Sequence, residues 1–270
     1  MSDIYAIAFD NYGSNQRLFF TFAISLAHTV PVALHSLFLA GIEAANLFQD
    51  RVTQRGKNVD EALLKSSWIQ FFLNHFVVMP FFIWLVYPWL NSYINISVDT
   101  IPPFGIICRD IFICVLFEDA LFYWTHRALH HPLLYKRFHK KHHEFKVLKG
   151  MSIASEYTHP IESLAGNIVA VIAGPIFTRC HMVTFLLWLV IRMLKTSDAH
   201  SGYDFKWSPF GIFLPLNPAR RHDFHHETGL GSYGSFFVFW DFICGTDLDY
   251  IEHASKRIAS RNRETRNKAK

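Results

Sequence analysis

Apolar residues fill long stretches of this chain, and polar ones gather between them. A membrane-spanning helix needs about 20 mostly apolar residues. Residues 18–48 reach that length, with Pro31 as an expected kink and His28 and His35 as polar interruptions. Residues 68–90 reach it too, and end on Trp and Tyr, where an aromatic belt belongs. Residues 104–124 are apolar but broken by Arg109, Asp110, Glu118 and Asp119. Residues 164–178 and 181–194 are each short of a span and, with Gly174-Pro175, predict a hairpin that dips into the bilayer and out again. The pattern predicts an all-α, polytopic membrane protein with about four transmembrane helices.

Lysine and arginine set the expected orientation. They cluster in 49–67 (Arg51, Arg55, Lys57, Lys65), in 136–149 (Lys136, Arg137, Lys140, Lys141, Lys146, Lys149) and after residue 254. The positive-inside rule places all three on the cytosolic side, with 91–103 as a short lumenal loop. The sequon Asn95-Ile96-Ser97 then lies too near the membrane for use. The first 17 residues lack the basic region and cleavage site of a signal peptide, so targeting is expected to fall to the first span. The expected organisation is an N-terminal membrane region (1–103), a catalytic region (104–250) that adds a cytosolic helical cap, and a basic tail (251–270).

Composition narrows the class. Of 270 residues only 18% are charged and 51% are hydrophobic, against about 25% charged in a soluble domain, which excludes an ordinary soluble enzyme or a disordered chain. A net charge of +4 is too small to imply nucleic acid. Cys108, Cys114, Cys180 and Cys244 form no paired metal-type spacing and read as reduced, structural residues. The 16 histidines are the anomaly. They point to chemistry carried by imidazole.

Eight of them fall in three boxes. His126 and His130 are four apart; His139, His142 and His143 stand at i, i+3 and i+4; and His222, His225 and His226 repeat that spacing. On a helix these offsets bring side chains to one face about a turn apart. Eight imidazole nitrogens suffice for two metal ions, and a single structural zinc with four ligands would leave half of them unexplained. Two redox-active irons in an all-nitrogen site would use all eight. His28, His35, His75 and His181 read as satisfied core or interface residues, His253 as a surface residue, and His131 as lying outside the ligand set. Metal-bound histidines usually pass their second N–H to a carboxylate. Glu118, Asp119, Glu144, Glu156, Asp198 and Asp223 are near enough in sequence to serve, with Arg127 or Lys195 as alternative partners for the first two.

These boxes resemble the fatty-acid hydroxylase/sterol desaturase superfamily, membrane non-haem di-iron enzymes marked by HxxxH, HxxHH and HxxHH. The narrower words NHF (74–76), FED (117–119), EYTHP (156–160), HSGYD (200–204), RHDFHH (221–226) and WDFICGTD (240–247) look like the methylsterol monooxygenase group. The resemblance covers roughly residues 60–250. Arg221 departs from it, standing where some members carry another histidine.

The resemblance implies that His126, His130, His139, His142, His143, His222, His225 and His226 bind two irons, with His200 and His159 as further ligands or their hydrogen-bond partners. It implies stepwise oxidation of the C-4 methyl group of a membrane sterol to the carboxylic acid, alongside other enzymes of sterol C-4 demethylation. Electrons would come from NAD(P)H through cytochrome b5 and its reductase, and the location would be the endoplasmic reticulum membrane with the site facing the cytosol. The absence of a GxGxxG, P-loop, haem or flavin motif agrees with an outside electron source. The basic run Lys136–Lys149 suits an acidic carrier or anionic lipid headgroups equally. The apolar segments 68–90, 104–124 and 164–194 are the expected pocket walls. Rival readings are a sibling sterol C-5 desaturase or fatty-acid hydroxylase, and a histidine-rich metal transporter. The boxes sit among Lys and Arg outside the apolar spans, which counts against transport.

Overall fold

The computed structural model describes residues 15–97, 101–212 and 216–268. The signal-peptide reading therefore falls largely on residues outside the described ones, as do the last two residues of the basic tail.

Local chemistry sets the helix ends. Helix α1 (Gln16–Ala44) starts where the Asn15 side chain accepts from the Leu18 N–H, and it continues through Pro31 as one helix. Helix α2 (Glu61–Leu90) starts at Asp60, whose carboxylate accepts from the Ala62 and Leu63 N–H groups, and passes through a π turn at Asn74–Val78. Helix α3 (Phe104–Leu129) follows Pro102-Pro103. Helix α4 (Pro160–Thr178) contains a second π turn at Ser163–Ile168, and α5 (Met182–Ala199) is capped by His181. Helix α6 (Ala219–Thr228) ends at Gly229, whose φ of +73° suits glycine. Helices α7 (Phe239–Cys244) and α8 (Leu248–Lys268) complete the chain. No strand occurs among the described residues, only isolated bridges such as Val52 with Tyr203.

Three helices among the described residues, α1, α2 and α4, are long and apolar enough to cross a membrane, against about four expected. Helix α3 fails on charge, because Asp110, Glu118 and Asp119 are built into its buried face. Helix α4 gains span length by starting at Pro160 rather than 164. Glu162, within that added turn, is buried inside the protein.

Helix α1 packs on α5 and α2, and α3 packs on α4. The α3–α4 crossing is close: a Cβ at Gly174 would stand 2.5 Å from the Cys114 Cα. The main core gathers Phe20, Cys114, Met182, Phe185 and Trp188, all nearly inaccessible, and the Trp188 indole N–H donates to the Val171 carbonyl at 2.9 Å. Phe22, Leu34 and Leu37 on α1 and Phe72, Phe76, Phe81 and Leu85 on α2 stay exposed. That outer surface is what lipid requires and water penalises. All four cysteines are free.

Candidate metal centre

The fold delivers the histidines from four places. His126 lies in the last turn of α3, with His130 at its C-cap. The middle box is not α-helical: His139 ends a π turn (Tyr135–His139), and His142 and His143 sit in a 3-10 turn (His142–Glu144). The third box lies on α6. His200 caps the end of α5.

Two clusters result. His126, His130, His139, His143 and His225 form one, and His142, His200, His222 and His226 the other; within each group, one ring nitrogen per residue lies within 4.8 Å of all the rest. In the first, the Nε2–Nε2 separations are 3.1 Å for His130–His225, 3.0 Å for His130–His139, 3.2 Å for His130–His143 and 3.0 Å for His139–His143. In the second they are 3.3 Å for His142–His200, 2.9 Å for His200–His222 and 3.2 Å for His222–His226.

These numbers fit metal binding better than hydrogen bonding. A neutral imidazole has one N–H, so most nitrogens converging from several rings can only face each other's lone pairs. Two donors each about 2.0–2.1 Å from a shared ion lie about 3.0–3.4 Å apart, which matches the observed spacing. The His126 Nε2 is buried with no hydrogen-bond partner while its Nδ1–H is engaged.

The outward nitrogens explain the ring orientations. Nδ1–H groups donate to the carbonyls of Tyr233 (from His126, 3.0 Å), Gly231 (from His225, 2.6 Å), Phe145 (from His226, 2.9 Å) and Thr196 (from His200, 2.8 Å). His139 donates instead to Glu162 Oε1 at 2.8 Å. Gly231 holds its carbonyl in place at φ +50°, where a Cβ would stand 2.1 Å from the Thr246 oxygen. The stretch 240–247 that contains Thr246 braces the loop further, since its Asp241 accepts from the Tyr233 and Gly234 N–H groups.

Burial keeps the rings neutral. It lowers the His126 pKa to about 4 and that of His130 to about 2. His139, His142, His143, His200, His222, His225 and His226 are pushed down in the same direction, with neighbouring imidazoles adding to the effect. Neutral imidazole is the form that ligates a metal.

Nine of the ten histidines singled out by sequence therefore come together. His159 does not: it caps α4, accepting from the Ile161 N–H at Nδ1, and packs against Phe138. His131 likewise caps a turn. The six carboxylates expected beside the boxes go elsewhere. Glu118 pairs with Arg192 at 2.5 Å and Ser235 at 3.0 Å, rather than with Arg127 or Lys195, and Asp119 accepts from the Phe237 N–H. Glu144 accepts from the Tyr157 hydroxyl, Asp223 from Gln54, and Glu156 faces His75. Asp198 is buried beside Ser208 and Lys195. Glu162, which does make one, was missed in the sequence. Its only signal there was an ionisable residue at the edge of an apolar run. Arg221 pairs with Asp247 at 3.3 Å.

A cavity of about 30 Å³ touches both clusters, the space of roughly one water in the liquid. Its lining includes His126, His139, His142, His200 and His222, with Phe122 and Leu129 of α3 and Gly166 and Asn167 of the α4 π turn. The expected walls from 104–124 and 164–194 thus contribute, while 68–90 contributes none. A separate apolar groove of about 580 Å³ runs between α1 and α5, lined by Leu26, Val30, Leu34, His35, Val190 and Leu194 among others.

A model of the fatty acid hydroxylase family matches residues 111–246, which hold every one of the clustered histidines. This chain belongs to that family. The family member is 38% identical over 237 residues to a very-long-chain aldehyde decarbonylase of Oryza sativa subsp. indica, covering 83% of this chain and 87% of the relative. It is 37% identical over 221 residues to methylsterol monooxygenase 2-2 of Arabidopsis thaliana (79% and 82%). It is also 37% identical over 188 residues to methylsterol monooxygenase 1 of Gallus gallus (68% and 61%). No solved structure matches. Membership thus supports a membrane oxidoreductase of the hydroxylase type, and the relatives' names span more than one reaction.

Proposed function

We propose that this chain is a di-iron methylsterol monooxygenase that oxidises the C-4 methyl group of 4-methylsterols stepwise to the carboxylic acid. The observation that carries the reading is the pair of neighbouring histidine clusters, five and four imidazoles, opening on one cavity. The similarity to methylsterol monooxygenases over most of the chain supports the substrate class.

The nine clustered histidines would hold two irons, which supply dioxygen activation and oxidation of an unreactive C–H bond when bound. The protein's part is to hold, orient and exclude. Backbone carbonyls and Glu162 lock the rings so that their Nε2 atoms converge. Phe122 and Leu129 keep bulk water from the cavity, and the hydroxyls of Thr125, Ser155 and Thr158 line it as candidate carriers of protons. The cavity is too small for a sterol, so substrate entry requires the surrounding helices to part. The apolar groove between α1 and α5 offers a lipid-side approach.

Electrons would arrive from NAD(P)H through cytochrome b5, docked on the exposed Lys136, Arg137, Lys140 and Lys146. The basic segments favour a cytosolic position for this face, and the resemblance to methylsterol monooxygenases supports the endoplasmic reticulum membrane, with about four crossings if α3 or the α4–α5 hairpin also enters the bilayer. A second reading, oxidation of a long-chain aldehyde, is favoured by the similarity to the rice decarbonylase.

The test is conversion of 4,4-dimethylsterol by microsomes lacking their own methylsterol oxidase, with NADH, oxygen and a His142→Ala control. Wild type is expected to give 4-hydroxymethyl and 4-carboxy sterols, and the variant none. Iron-loaded wild type that leaves the sterol untouched but consumes a long-chain aldehyde would replace this reading with the second.

A further inference from the structure

A third group of ligating side chains stands apart from the two clusters. His28 on α1, His75 in the π turn of α2 and Glu156 at the end of a 3-10 turn (Ser152–Glu156) each offer one ligand atom, and these atoms all lie within 4.8 Å of one another. His28 and His75 sit in the interiors of two of the three membrane-length helices. Ionisable groups at that depth mark function by default. The sequence read both histidines as ordinary core residues, because no local spacing links positions 28, 75 and 156.

The geometry differs from a simple hydrogen bond. His75 Nε2 lies 3.3 Å from Glu156 Oε2, longer than the ~2.7–2.9 Å of a charge-assisted bond but within the ~3.0–3.4 Å between two donors on one ion. His75 Nδ1 is 3.0 Å from Thr29 Oγ1. In the tautomer whose Nδ1–H donates to that hydroxyl, Nε2 presents a free lone pair, the arrangement usual for a metal-bound histidine. His28 brings a buried Nδ1 with no hydrogen-bond partner, an unfavourable state for a polar atom.

Charge also permits a cation here. Glu156 supplies the carboxylate that would balance the charge of the ion, and its other oxygen, Oε1, accepts from the Ser155 hydroxyl at 3.4 Å. The buried Arg192 is already paired with Glu118. The π turn itself is a feature found often at functional sites, and His75 is the buried residue within it.

We propose that His28, His75 and Glu156 form a third metal site that binds one divalent first-row cation, zinc in the first instance, through two imidazoles and one carboxylate. This donor set is a known one for zinc and for ferrous iron, with remaining positions open to water. The ion would tie α1 and α2 to the 152–156 turn, whose Ser155 lines the cavity beside the main clusters. The inference does not depend on which substrate the main site oxidises.

The test counts metal on the full-length protein. Metal-depleted protein in detergent is titrated with Zn²⁺ and the bound ion measured per chain. Wild type is expected to hold one equivalent more than His75→Ala and Glu156→Gln, and both variants should keep the equivalents of the nine-histidine clusters. The double variant His143→Ala/His226→Ala should show the reverse, retaining the third equivalent while the others fall. Equal stoichiometry in wild type and the two single variants overturns the proposal. If a variant sheds every equivalent, anomalous diffraction at the zinc edge on wild-type crystals decides: a peak between the three side chains supports the site, and its absence overturns it.

Discussion

His139 and Glu162 meet through a 2.8 Å bond from Nδ1 to Oε1, with both side chains nearly inaccessible to solvent. This single contact joins the π turn that carries one histidine box to the first turn of a membrane-length helix. It also aims the His139 Nε2 at those of His130 and His143. Removing it should loosen one ring of the five-histidine cluster without touching the other four. Glu162→Ala is therefore expected to weaken metal binding at that cluster by about 10–100-fold, while the four-histidine cluster keeps its affinity. Competition with a chelator of known affinity measures this, and an unchanged first cluster would show that the carboxylate does not orient the ring.

Acid should unfold the metal-free protein early. The clustered histidines have pKa values below the 6.5 of an exposed ring, about 4 for His126 and about 2 for His130. Between those values and 6.5 the unfolded chain binds more protons than the folded one, so stability rises with pH there. The contribution is complete above 6.5 and falls away as pH drops through 6 towards 4. Thermal unfolding of metal-free protein across pH 4.5–7.5 should show a falling midpoint on the acid side, steeper than in a variant with His222 and His226 replaced by Phe.

The Glu118–Arg192 pair is buried on both sides, at 0% and 5% side-chain exposure. Breaking it from one end leaves an uncompensated charge, a loss of about 3–5 kcal/mol. Arg192→Met alone should destabilise the protein strongly, and Glu118→Gln in the same chain should restore much of the loss. A double-mutant cycle on unfolding in detergent checks it; additive losses would mean that the two groups do not act as a pair.

Gly174 marks a tight helix crossing, with room for a hydrogen and not for a methyl group. Gly174→Ala must push α4 away from Cys114 on α3, a cost of about 1–3 kcal/mol from overpacking. A matched Ala at exposed Gly105, where a Cβ meets nothing, should leave stability within about 0.5 kcal/mol. Equal effects at both positions would contradict the packing.

If the groove between α1 and α5 admits the lipid substrate, filling it should act on binding alone. Leu34→Trp, at an exposed position on the groove, is expected to raise the KM by roughly tenfold, the scale of about 1–3 kcal/mol of apolar contact. Bound metal and kcat should stay near wild type. A loss confined to kcat would place substrate entry elsewhere.

Much of this protein is legible along the chain because its strongest signals are local. Apolar runs the length of a bilayer predict helices, and histidines at i, i+3 and i+4 announce a metal-type site. Local spacing does not say which ring goes where. Both triplets are split: His139 and His143 join one cluster and His142 the other, while His222 and His226 join the second and His225 the first. At about 100° per residue an i+4 neighbour nearly repeats the direction of residue i, and an i+3 neighbour lies on the opposite flank. That separation let the third box serve two clusters, although the middle box does so from a π turn and a 3-10 turn.

What only the tertiary structure decided involves residues distant in sequence. His200 reaches its cluster from the end of α5, Glu162 reaches His139 from α4, and His28, His75 and Glu156 meet from three separate elements. Glu162, unremarked in the sequence, becomes an interior hydrogen-bond acceptor in the fold. The physical reason is common to all of them. A sequence records which groups could ligate or accept, but burial and helix packing determine which of them face one another with no water between.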